Sequence, residues 1–414
     1  MRGVSVAVAG CGPCGLATAL LLARQSHEVT LFERFPTPRP IGSGLMIQPT
    51  GFAVLQRVGL ADRILREGAR IDRLFGKAGT RVVLDVHYRA LRQPGLFGIG
   101  VHRASLFDAL YEAVGAVQIP LRTGLTIIGS ELHRGGRRLQ FADGSTSEPF
   151  DLIVDALGTR TVLASPCGSD LTYGALWATV NLGDCDSFGD AALQQRYRHS
   201  SVMAGVLPIG AGANGHSRAA FFWSLRSDRL DQWRDAGVGK WKAEVGALWP
   251  EAGQLVDQIS APEQLTFARY SHRTLSNPVE HALIHIGDAW HSASPQLGQG
   301  ANMALLDAYA LAAGLHQADD LAEALGIAVS MRRRHVQLYQ WLTTLFTPVY
   351  QSDSKMLPLV RDRVVGPLSK LWPATWIQAA MVSGLVGNPL RPLGLEGWGL
   401  KSQQRSRCPR LQRP

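Results

Sequence analysis

The stretch GCGPCG at residues 10–15 constrains the fold more than any other part of the chain. It follows an apolar, β-branched run at residues 4–9 that is typical of a buried strand, and it precedes a run of helix formers at residues 16–25. A second strand pattern, HEVTLF, ends at Phe32 and is followed by Glu33. This order predicts the start of a Rossmann-like α/β domain that binds a dinucleotide.

The three glycines of this turn have separate mechanical roles. Gly10 permits a tight turn, Gly12 lets a pyrophosphate approach the backbone, and Gly15 lets the helix pack closely on the strand. The helix N-terminus supplies free N–H groups and partial positive charge for the phosphates, and the acid after the second strand can accept hydrogen bonds from a ribose. The cofactor contacts predicted in this region are Gly10, Gly12, Pro13, Cys14, Gly15, Glu33 and Arg34.

Cys11 and Cys14 also match the C-x-x-C dithiol of thioredoxin-like redox proteins. A redox dithiol needs a small domain with its own strand before the motif, whereas only ten residues precede Cys11. The alternative is that both cysteines fill positions where only a small side chain fits. The five cysteines form no disulfide framework, so a reducing, cytoplasmic setting is expected.

A second motif lies near residue 280. An apolar strand at residues 282–286 leads into Gly287-Asp288, and a loop with Pro295 then leads into GQGAN at residues 298–302, which opens a long helix. Together with the N-terminal turn, this motif resembles the group A FAD-dependent monooxygenases, the para-hydroxybenzoate hydroxylase-like family. The resemblance covers about residues 4–345.

The resemblance implies an α/β fold and the reaction that the protein catalyses. The fold is a Rossmann-like FAD-binding domain of the GR2 type, with an inserted antiparallel-sheet substrate domain and a C-terminal helical segment. NAD(P)H reduces the FAD, and O2 then forms a flavin C4a-hydroperoxide that hydroxylates or epoxidises an apolar, aromatic small molecule. The implied domains are residues 1–70, 101–165 and 276–345 for FAD, residues 71–100 and 166–275 for substrate, and residues 346–414 for the helical segment with its basic tail.

The resemblance also implies roles for the second motif. Asp288 would reach the ribityl chain of the flavin, and Pro295 would lie beside its reactive face. The backbone amides at the start of the following helix would approach the pyrimidine edge, where a helix N-terminus stabilises negative charge. The contacts implied here are Asp288, Pro295, Gly298, Gly300, Ala301 and Asn302.

Three shorter segments extend this set. HRASL resembles the family's Arg-x-x-Leu element and implies an FAD contact by Arg103. PRPIGSGLMIQP resembles the segment that passes the flavin and places Arg39 and Gly44 there, although Arg39 is equally well explained as a surface arginine. The family's Asp-Gly pair is altered to Leu157-Gly158, which leaves Gly158 and the nearby Asp155 as the predicted contacts and weakens the case for nicotinamide recognition.

The middle of the chain alternates like the strands of an antiparallel sheet, which in this family roofs the flavin. The segment GAGANG at residues 210–215 matches a nucleotide turn but lies between two strand patterns, so we interpret it as a hairpin loop. Trp290 stands where the family has a small residue and either narrows the site or packs in the core. The predicted substrate-pocket residues are Trp177, Met203, Phe222 and Tyr270.

The net charge of +9 comes from the end of the chain, since residues 331–414 hold 13 Lys and Arg but three Asp and Glu, together with four of the ten tryptophans. A solvated helix face and tail would explain this excess, and contact with an anionic membrane surface is the alternative hypothesis. No motif indicates nucleic-acid binding or a metal site, and no apolar run is long enough to span a membrane. The rival function is an FAD-dependent dehydrogenase or reductase that acts on a lipid-like substrate without oxygen transfer.

Overall fold

A six-stranded sheet forms the base of the structure, and five of its strands run parallel. The sixth strand, Val279–Glu280, lies at one edge and pairs antiparallel with its neighbour. In order across the sheet, the strands are Val279–Glu280, Leu283–His285, Leu152–Asp155, Ser5–Ala9, Glu28–Phe32 and Leu121–Arg122. The computed structural model describes residues 3–40, 42–165, 167–183, 186–188, 191–212 and 215–396.

Both faces of this base sheet are covered, which explains the continuous apolar run of its first strand. Val6 and Val8 pack with helices on one face, whereas Ala7 and Ala9 pack with a hairpin on the other. The helices of the first face include Pro13–Ala23, Arg103–Ala116 and Gly300–Gln317, and the hairpin strands are Ile127–His133 and Gly136–Phe141. The predicted strand–turn–helix–strand start of the chain is therefore confirmed.

A seven-stranded sheet, the roof sheet, lies over the base. All its neighbouring strands pair antiparallel except Ala192–Arg198 and Arg73–Ala78, which run parallel. Successive side chains of a strand lie on opposite faces of the sheet. Phe221 and Trp223 therefore pack under the helix Leu230–Leu248, while Phe222 points to the opposite face. In order, the strands are Thr266–Ala268, Tyr173–Asn181, Ser217–Arg226, Val202–Ala211, Ala192–Arg198, Arg73–Ala78 and Arg81–His87.

Two details of the roof sheet bear on the sequence predictions. The strands that flank residues 210–215 pair antiparallel, with Ala211 opposite Ser217, so the hairpin prediction is confirmed. The segment around residue 270 is not one strand, because Ser271–Thr274 leaves the roof and joins a small separate sheet. The small sheets contain Ser169–Asp170, Ser271–Thr274 and His291–Ser292, and Gly44–Ile47, Gly98–His102 and Ala69–Ile71.

The C-terminal part of the described chain closes one end of the gap between the two large sheets. A 30-residue helix, Leu321–Tyr350, leads to a segment that we call the cap, residues 356–383. The cap consists of Met356–Val360, a π-helical turn at Arg361–Val365, Gly366–Leu368 and Ala374–Ser383. The remaining α-helices are Pro49–Arg57, Ala61–Glu67 and Gly253–Val256.

Candidate functional site

A cavity of about 1590 Å³ lies between the base sheet, the roof sheet and the cap. A pocket for one small ligand usually measures about 300–1,000 Å³. The cavity runs from the turn at residues 10–14 to side chains of the roof and the cap. It therefore has room for a dinucleotide and a second molecule at once.

The turn at the cavity's base is shaped for close approach of a ligand. Gly10 has φ +106°, and a Cβ there would lie 2.7 Å from the Ala156 oxygen. A Cβ on Gly15 would lie 2.0 Å from the Gly10 oxygen, so the helix and strand can pack only with glycine there. Gly12 differs, because a Cβ there would meet no atom within 4 Å and the residue lines the cavity. This open side, next to a helix N-terminus, fits a phosphate.

Glu33 holds the turn from the next strand. Its Oε2 accepts a hydrogen bond from the Cys11 N–H at 3.0 Å, and its Oε1 accepts one from the Phe35 N–H at 3.1 Å. The carboxylate lines the cavity and keeps unused lone pairs. It can therefore position the turn and accept hydrogen bonds from a ribose in the same conformation.

The two thiols of the turn are buried, and their raised pKa values make them unreactive near neutral pH. Burial, followed by the nearby Glu33, raises the pKa of Cys11 to about 12. Burial also raises the pKa of Cys14 well above its usual value, and its Sγ lies 3.4 Å from the Ala304 oxygen as a donor. A thiolate is the reactive species, so neither group suits dithiol chemistry near neutral pH. The arrangement supports the interpretation of both cysteines as small packing residues.

The Gly287-Asp288 turn packs against the N-terminal turn, since a Cβ on Gly287 would lie 3.0 Å from Cys14 Sγ. Gly287 has φ +58°, and its N–H donates to Asp307 Oδ2 at 3.0 Å. Asp288 is open to the cavity but lies deep in the protein, and this burial raises its pKa against the opposing effect of His291 and Arg103. The carboxyl is thus placed to hydrogen-bond a polar chain in the cavity.

A buried charge network supports this turn from below. Asp307 accepts from His291 Nε2 at 2.6 Å and from Arg332 Nε at 2.8 Å. Burial opposes ionisation of Asp307, but His291 and Arg332 outweigh it and lower its pKa. Arg332 also contacts His335 Nδ1 at 3.0 Å, and His335 Nε2 lies 3.1 Å from the Gly384 oxygen. The network therefore connects the turn to the long helix and to Gly384, the residue that follows the cap.

The structure places most of the sequence-predicted site residues on the cavity wall. Asn302 is different, since its amide bonds the Gln48 N–H and the oxygens of Met46 and Gly298, which ties strand Gly44–Ile47 to the helix. The predicted residues that line the cavity are Gly10, Gly12, Pro13, Cys14, Glu33, Arg34, Arg39, Gly44, Arg103, Gly158, Trp177, Met203, Phe222, Tyr270, Asp288, Pro295, Gly298, Gly300 and Ala301.

Three other predicted residues lie away from the cavity: Gly15 packs on Gly10 within the turn, and Asp155 and Trp290 are withdrawn from the candidate site. Asp155 is fully buried, and its carboxylate contacts Thr161 Oγ1 and His285 Nδ1, each at 2.6 Å, as well as the Leu157 N–H. Trp290 packs in the main core, where its Nε1 donates to the Leu275 oxygen at 3.2 Å. Internal partners satisfy both side chains, so neither is free to face a flavin.

Arg273 is a site residue that the sequence reasoning missed. Its guanidinium is buried and lines the cavity, where one Nη donates to the Thr159 oxygen at 3.2 Å. Its Nε and its other Nη have no hydrogen-bond partner. A buried guanidinium is costly without partners, so this one fits a cavity that holds an anionic group. Only a strand pattern marked this position in the sequence.

The other end of the cavity is apolar and aromatic. The Trp177 ring lies 4.8 Å from that of Phe222, and its Nε1 donates to the Tyr270 hydroxyl at 3.0 Å. Burial raises the pKa of Tyr270 to about 12, so its hydroxyl stays protonated near neutral pH. Apolar and aromatic side chains form most of this end, which suits an apolar ligand.

Several residues of this end were also absent from the sequence prediction. Gln195 and Tyr197 extend from one roof strand, and Tyr350 comes from the end of the long helix. Gln195 Oε1 accepts from the Tyr197 hydroxyl at 2.8 Å, which orients its amide. The strand that carries them reads ALQQRYR and has no apolar alternation, so its sequence contains no signal for a pocket wall.

The sequence matches the model of a protein family described as an FAD binding domain, over residues 3–110 and 172–324. This chain belongs to that FAD-binding family. Salicylate hydroxylase from Pseudomonas putida is 28% identical over 399 residues, which cover 87% of each protein. 6-Hydroxynicotinate 3-monooxygenase from Pseudomonas fluorescens is 23% identical over 394 residues, which cover 87% of this chain and 97% of that enzyme.

Solved structures agree with this family membership at the level of the fold. The structure of Klebsiella pneumoniae HpxO complexed with FAD and uric acid superposes with a TM-score of 0.79 at 19% identity, covering 94% of this chain and 99% of that one. The predicted α/β fold with its FAD-binding domain is therefore confirmed. The predicted resemblance to aromatic-hydroxylase FAD monooxygenases is confirmed as well. The domain boundaries and individual cofactor contacts remain predictions.

Two absences complete the description of the candidate site. Within the described ranges, no three His, Cys, Asp or Glu side chains are grouped so that they could hold a metal ion. Likewise, no helix in the described part of the chain combines the length and apolar character needed to cross a bilayer.

Proposed function

We propose that the protein is an FAD-dependent monooxygenase that uses NAD(P)H and O2 to hydroxylate or epoxidise an uncharged, apolar aromatic molecule. One observation carries the proposal: a single cavity joins a dinucleotide-binding turn to a wall of apolar and aromatic side chains. A flavin at the junction would lie within reach of a substrate at the apolar end. The named relatives act on aromatic rings, which supports the reaction class.

The residues present fit FAD. The open side of Gly12 and the helix that begins at Pro13 would hold its pyrophosphate, Glu33 its ribose, and Asp288 its ribityl chain. Helix Gly300–Gln317 would direct its N-terminus at the ring. When bound, FAD supplies the redox and oxygen chemistry, while the protein orients the substrate and excludes water from the apolar end.

The cavity wall indicates the charge of the substrate. The described residues that line the cavity from the roof strands and from residues 339–382 are all uncharged. The charged lining residues lie outside these segments and include Arg34 and Asp288 around the predicted cofactor site, as well as Arg269 and Arg273, which follow roof strand Thr266–Ala268. Salicylate and 6-hydroxynicotinate are carboxylates, and a buried carboxylate needs a cation or several donors. The absence of charge on this wall favours a neutral substrate over an aromatic acid.

The decisive experiment pairs a substrate screen with isotope labelling. Purified holoprotein is offered NADH and NADPH with matched neutral and carboxylated aromatics, and cofactor oxidation is recorded. We expect stimulation by neutral, apolar compounds and one ¹⁸O atom from ¹⁸O₂ in the product. Stimulated NAD(P)H oxidation with an unlabelled, reduced product would instead establish the rival reductase, and a dehydrogenated product formed without net NAD(P)H oxidation would establish the rival dehydrogenase. A strict preference for carboxylates would contradict the neutral-substrate proposal alone.

The predicted contact between the basic C-terminus and an anionic membrane also remains a proposal. The cap supports it, because exposed Trp372 and Trp376 lie near the exposed cations Arg363 and Lys370 in the sequence. The predicted basic tail, KSQQRSRCPRLQRP at residues 401–414, lies outside the described residues, so the cap alone is the basis for the inference that follows.

A further inference from the structure

The first part of the cap exposes apolar side chains and buries an arginine, which is the inverse of an ordinary surface helix. The described segment 356–368 buries Arg361, which is 1% exposed, and it also buries Pro358 and Gly366. It exposes Met356 at 68% and Leu368 at 57%, together with Leu359, Val360, Val364 and Val365. A surface helix normally turns its apolar stripe to the core and its charges to water.

The buried arginine explains how this inversion is held in place. Arg361 donates to the oxygens of Val349 and His199 at 3.3 and 3.2 Å, and its guanidinium lies over the Tyr197 ring at 5.0 Å. Its Nε donates to Asp362 at 2.7 Å. These contacts attach the inner side of the segment to the roof, and the outer side is left apolar.

The apolar surface continues beyond this segment. Leu371 is 60% exposed, Trp372 is 72% exposed, and Trp376 and Ile377 are each more than 40% exposed. Isolated apolar side chains are ordinary on protein surfaces, but a run of this size marks an interaction site. We call the exposed apolar residues of the cap the docking surface, which comprises Met356, Leu359, Val360, Val364, Val365, Leu368, Leu371, Trp372, Trp376 and Ile377.

Cations border the docking surface. Lys355, Arg363 and Lys370 are exposed, and within the described part of the chain none of them forms an ion pair. The acid of this segment, Asp362, is paired with the buried Arg361. Exposed tryptophans and leucines among unpaired cations are the composition that binds the headgroup region of an anionic bilayer.

The docking surface also contains the mouth of the substrate cavity. Val365, Leu368 and Ile377 are exposed on the outside, and each also lines the cavity. Gln378 and Met381, from the same helix as Ile377, also line the cavity. The apolar exterior of the cap therefore adjoins the wall of the cavity.

We infer that the cap docks on an anionic lipid bilayer and takes a neutral, lipophilic substrate from it directly into the cavity. The inference rests on the proposed function for the identity of the substrate, but the docking itself does not. A bilayer explains the mouth, the cations and the tryptophans together. A second copy of the chain would cover the apolar side chains, but it would also place its own cations against those of the first copy and block the mouth.

The test uses the full-length holoprotein and sedimentation with vesicles of phosphatidylcholine alone or with 30% phosphatidylglycerol. We expect binding to the anionic vesicles that weakens as salt is raised, because exposed charges are screened. Leu371→Glu/Trp372→Glu should reduce the bound fraction about tenfold, since neither residue lines the cavity and the change opposes both apolar and charge contact. In brominated phosphatidylcholine, quenching of tryptophan fluorescence should fall in Trp372→Phe and Trp376→Phe.

Ile128→Glu/Leu132→Glu is the matched control, because these apolar residues are 56% and 57% exposed on the distant hairpin. It should bind vesicles like the unmodified protein. Failure of the unmodified protein to bind either vesicle would overturn the inference, as would unchanged binding of the cap variant. A dimer in size-exclusion chromatography that the cap variant dissociates would assign the surface to a second copy. None of these outcomes bears on ¹⁸O incorporation, so the proposed function is tested separately.

Discussion

The carboxylate of Asp307 and the guanidinium of Arg332 form an ion pair at 2.8 Å, with both side chains 1% exposed. The pair lies beneath the Gly287-Asp288 turn, and Arg332 extends the contact to His335. It fixes the distance between the turn predicted to bind the flavin and the helix that supports the cap. A buried pair adds little net stability over apolar residues, but the loss of one partner leaves an uncompensated charge.

Loss of Arg332 should therefore destabilise the protein strongly. For Arg332→Met we expect the free energy of unfolding to fall by about 3–5 kcal/mol, because Asp307 keeps its charge in a buried site. Urea unfolding of the FAD-saturated protein measures the change. Arg334→Met, at an exposed position two residues away, should change the value by less than about 0.5 kcal/mol. Equal effects of the two variants would contradict the proposed role of the ion pair.

His335 should make stability depend on pH. Burial, followed by the adjacent Arg332, lowers its pKa well below the usual value, so the folded protein keeps it neutral. The unfolded chain takes up this proton below about pH 6.5, so the free energy of unfolding falls as the pH drops from there, by at most about 1.4 kcal/mol per pH unit from this group. His335→Gln should flatten the profile of urea midpoints measured from pH 7.5 to 5.5. His133→Gln, on the exposed hairpin, should leave the profile unchanged; a steep profile that persists in His335→Gln would assign the effect elsewhere.

Substitutions of two glycines of the turn should have different effects, one on FAD affinity and the other on the stability of the apoprotein. Gly12→Ala places its methyl group in open space, so the apoprotein should keep its thermal midpoint while FAD affinity falls at least tenfold. Gly15→Ala should lower the midpoint itself, because its methyl group would collide with the Gly10 oxygen. Flavin fluorescence titration and thermal unfolding of the apoprotein give the two quantities. Gly115→Ala, in a helix with no atom within 4 Å of the new methyl group, should leave FAD affinity unchanged and raise the midpoint slightly, because alanine is the better helix former. Lower stability in Gly12→Ala would contradict the open site.

The cysteines should differ in reactivity. Cys167 is exposed, whereas Cys11 and Cys14 are buried with raised pKa values, so a thiol reagent at pH 7.5 should modify Cys167 at least a hundredfold faster. Peptide mass spectrometry after timed labelling provides the rates. In urea the three rates should converge. Fast labelling of Cys11 or Cys14 in the native holoprotein would revive the dithiol hypothesis.

Local sequence determined the base of the fold and the predicted cofactor end of the site. The turn at residues 10–15, Glu33 and the Gly287-Asp288 pair have their predicted roles because strand, turn and helix follow one another along the chain, and such short-range geometry is readable from residue order. The alternation that sends Phe222 to the cavity and Phe221 to the core is likewise a local property of a strand.

Only the tertiary structure decided the rest, because it depends on residues that are distant in the chain. Asp155 and Trp290 have suitable positions in their motifs, yet His285 and the Leu275 oxygen engage them away from the cavity. Arg273 became a site residue because the segment that carries it leaves the roof sheet. The cap acquired its inverted surface because Arg361 donates to the His199 oxygen, 162 residues earlier in the chain, as well as to Val349 and Asp362 nearby. Long-range packing determines which side of a segment is buried, and no periodicity within the segment contains that information.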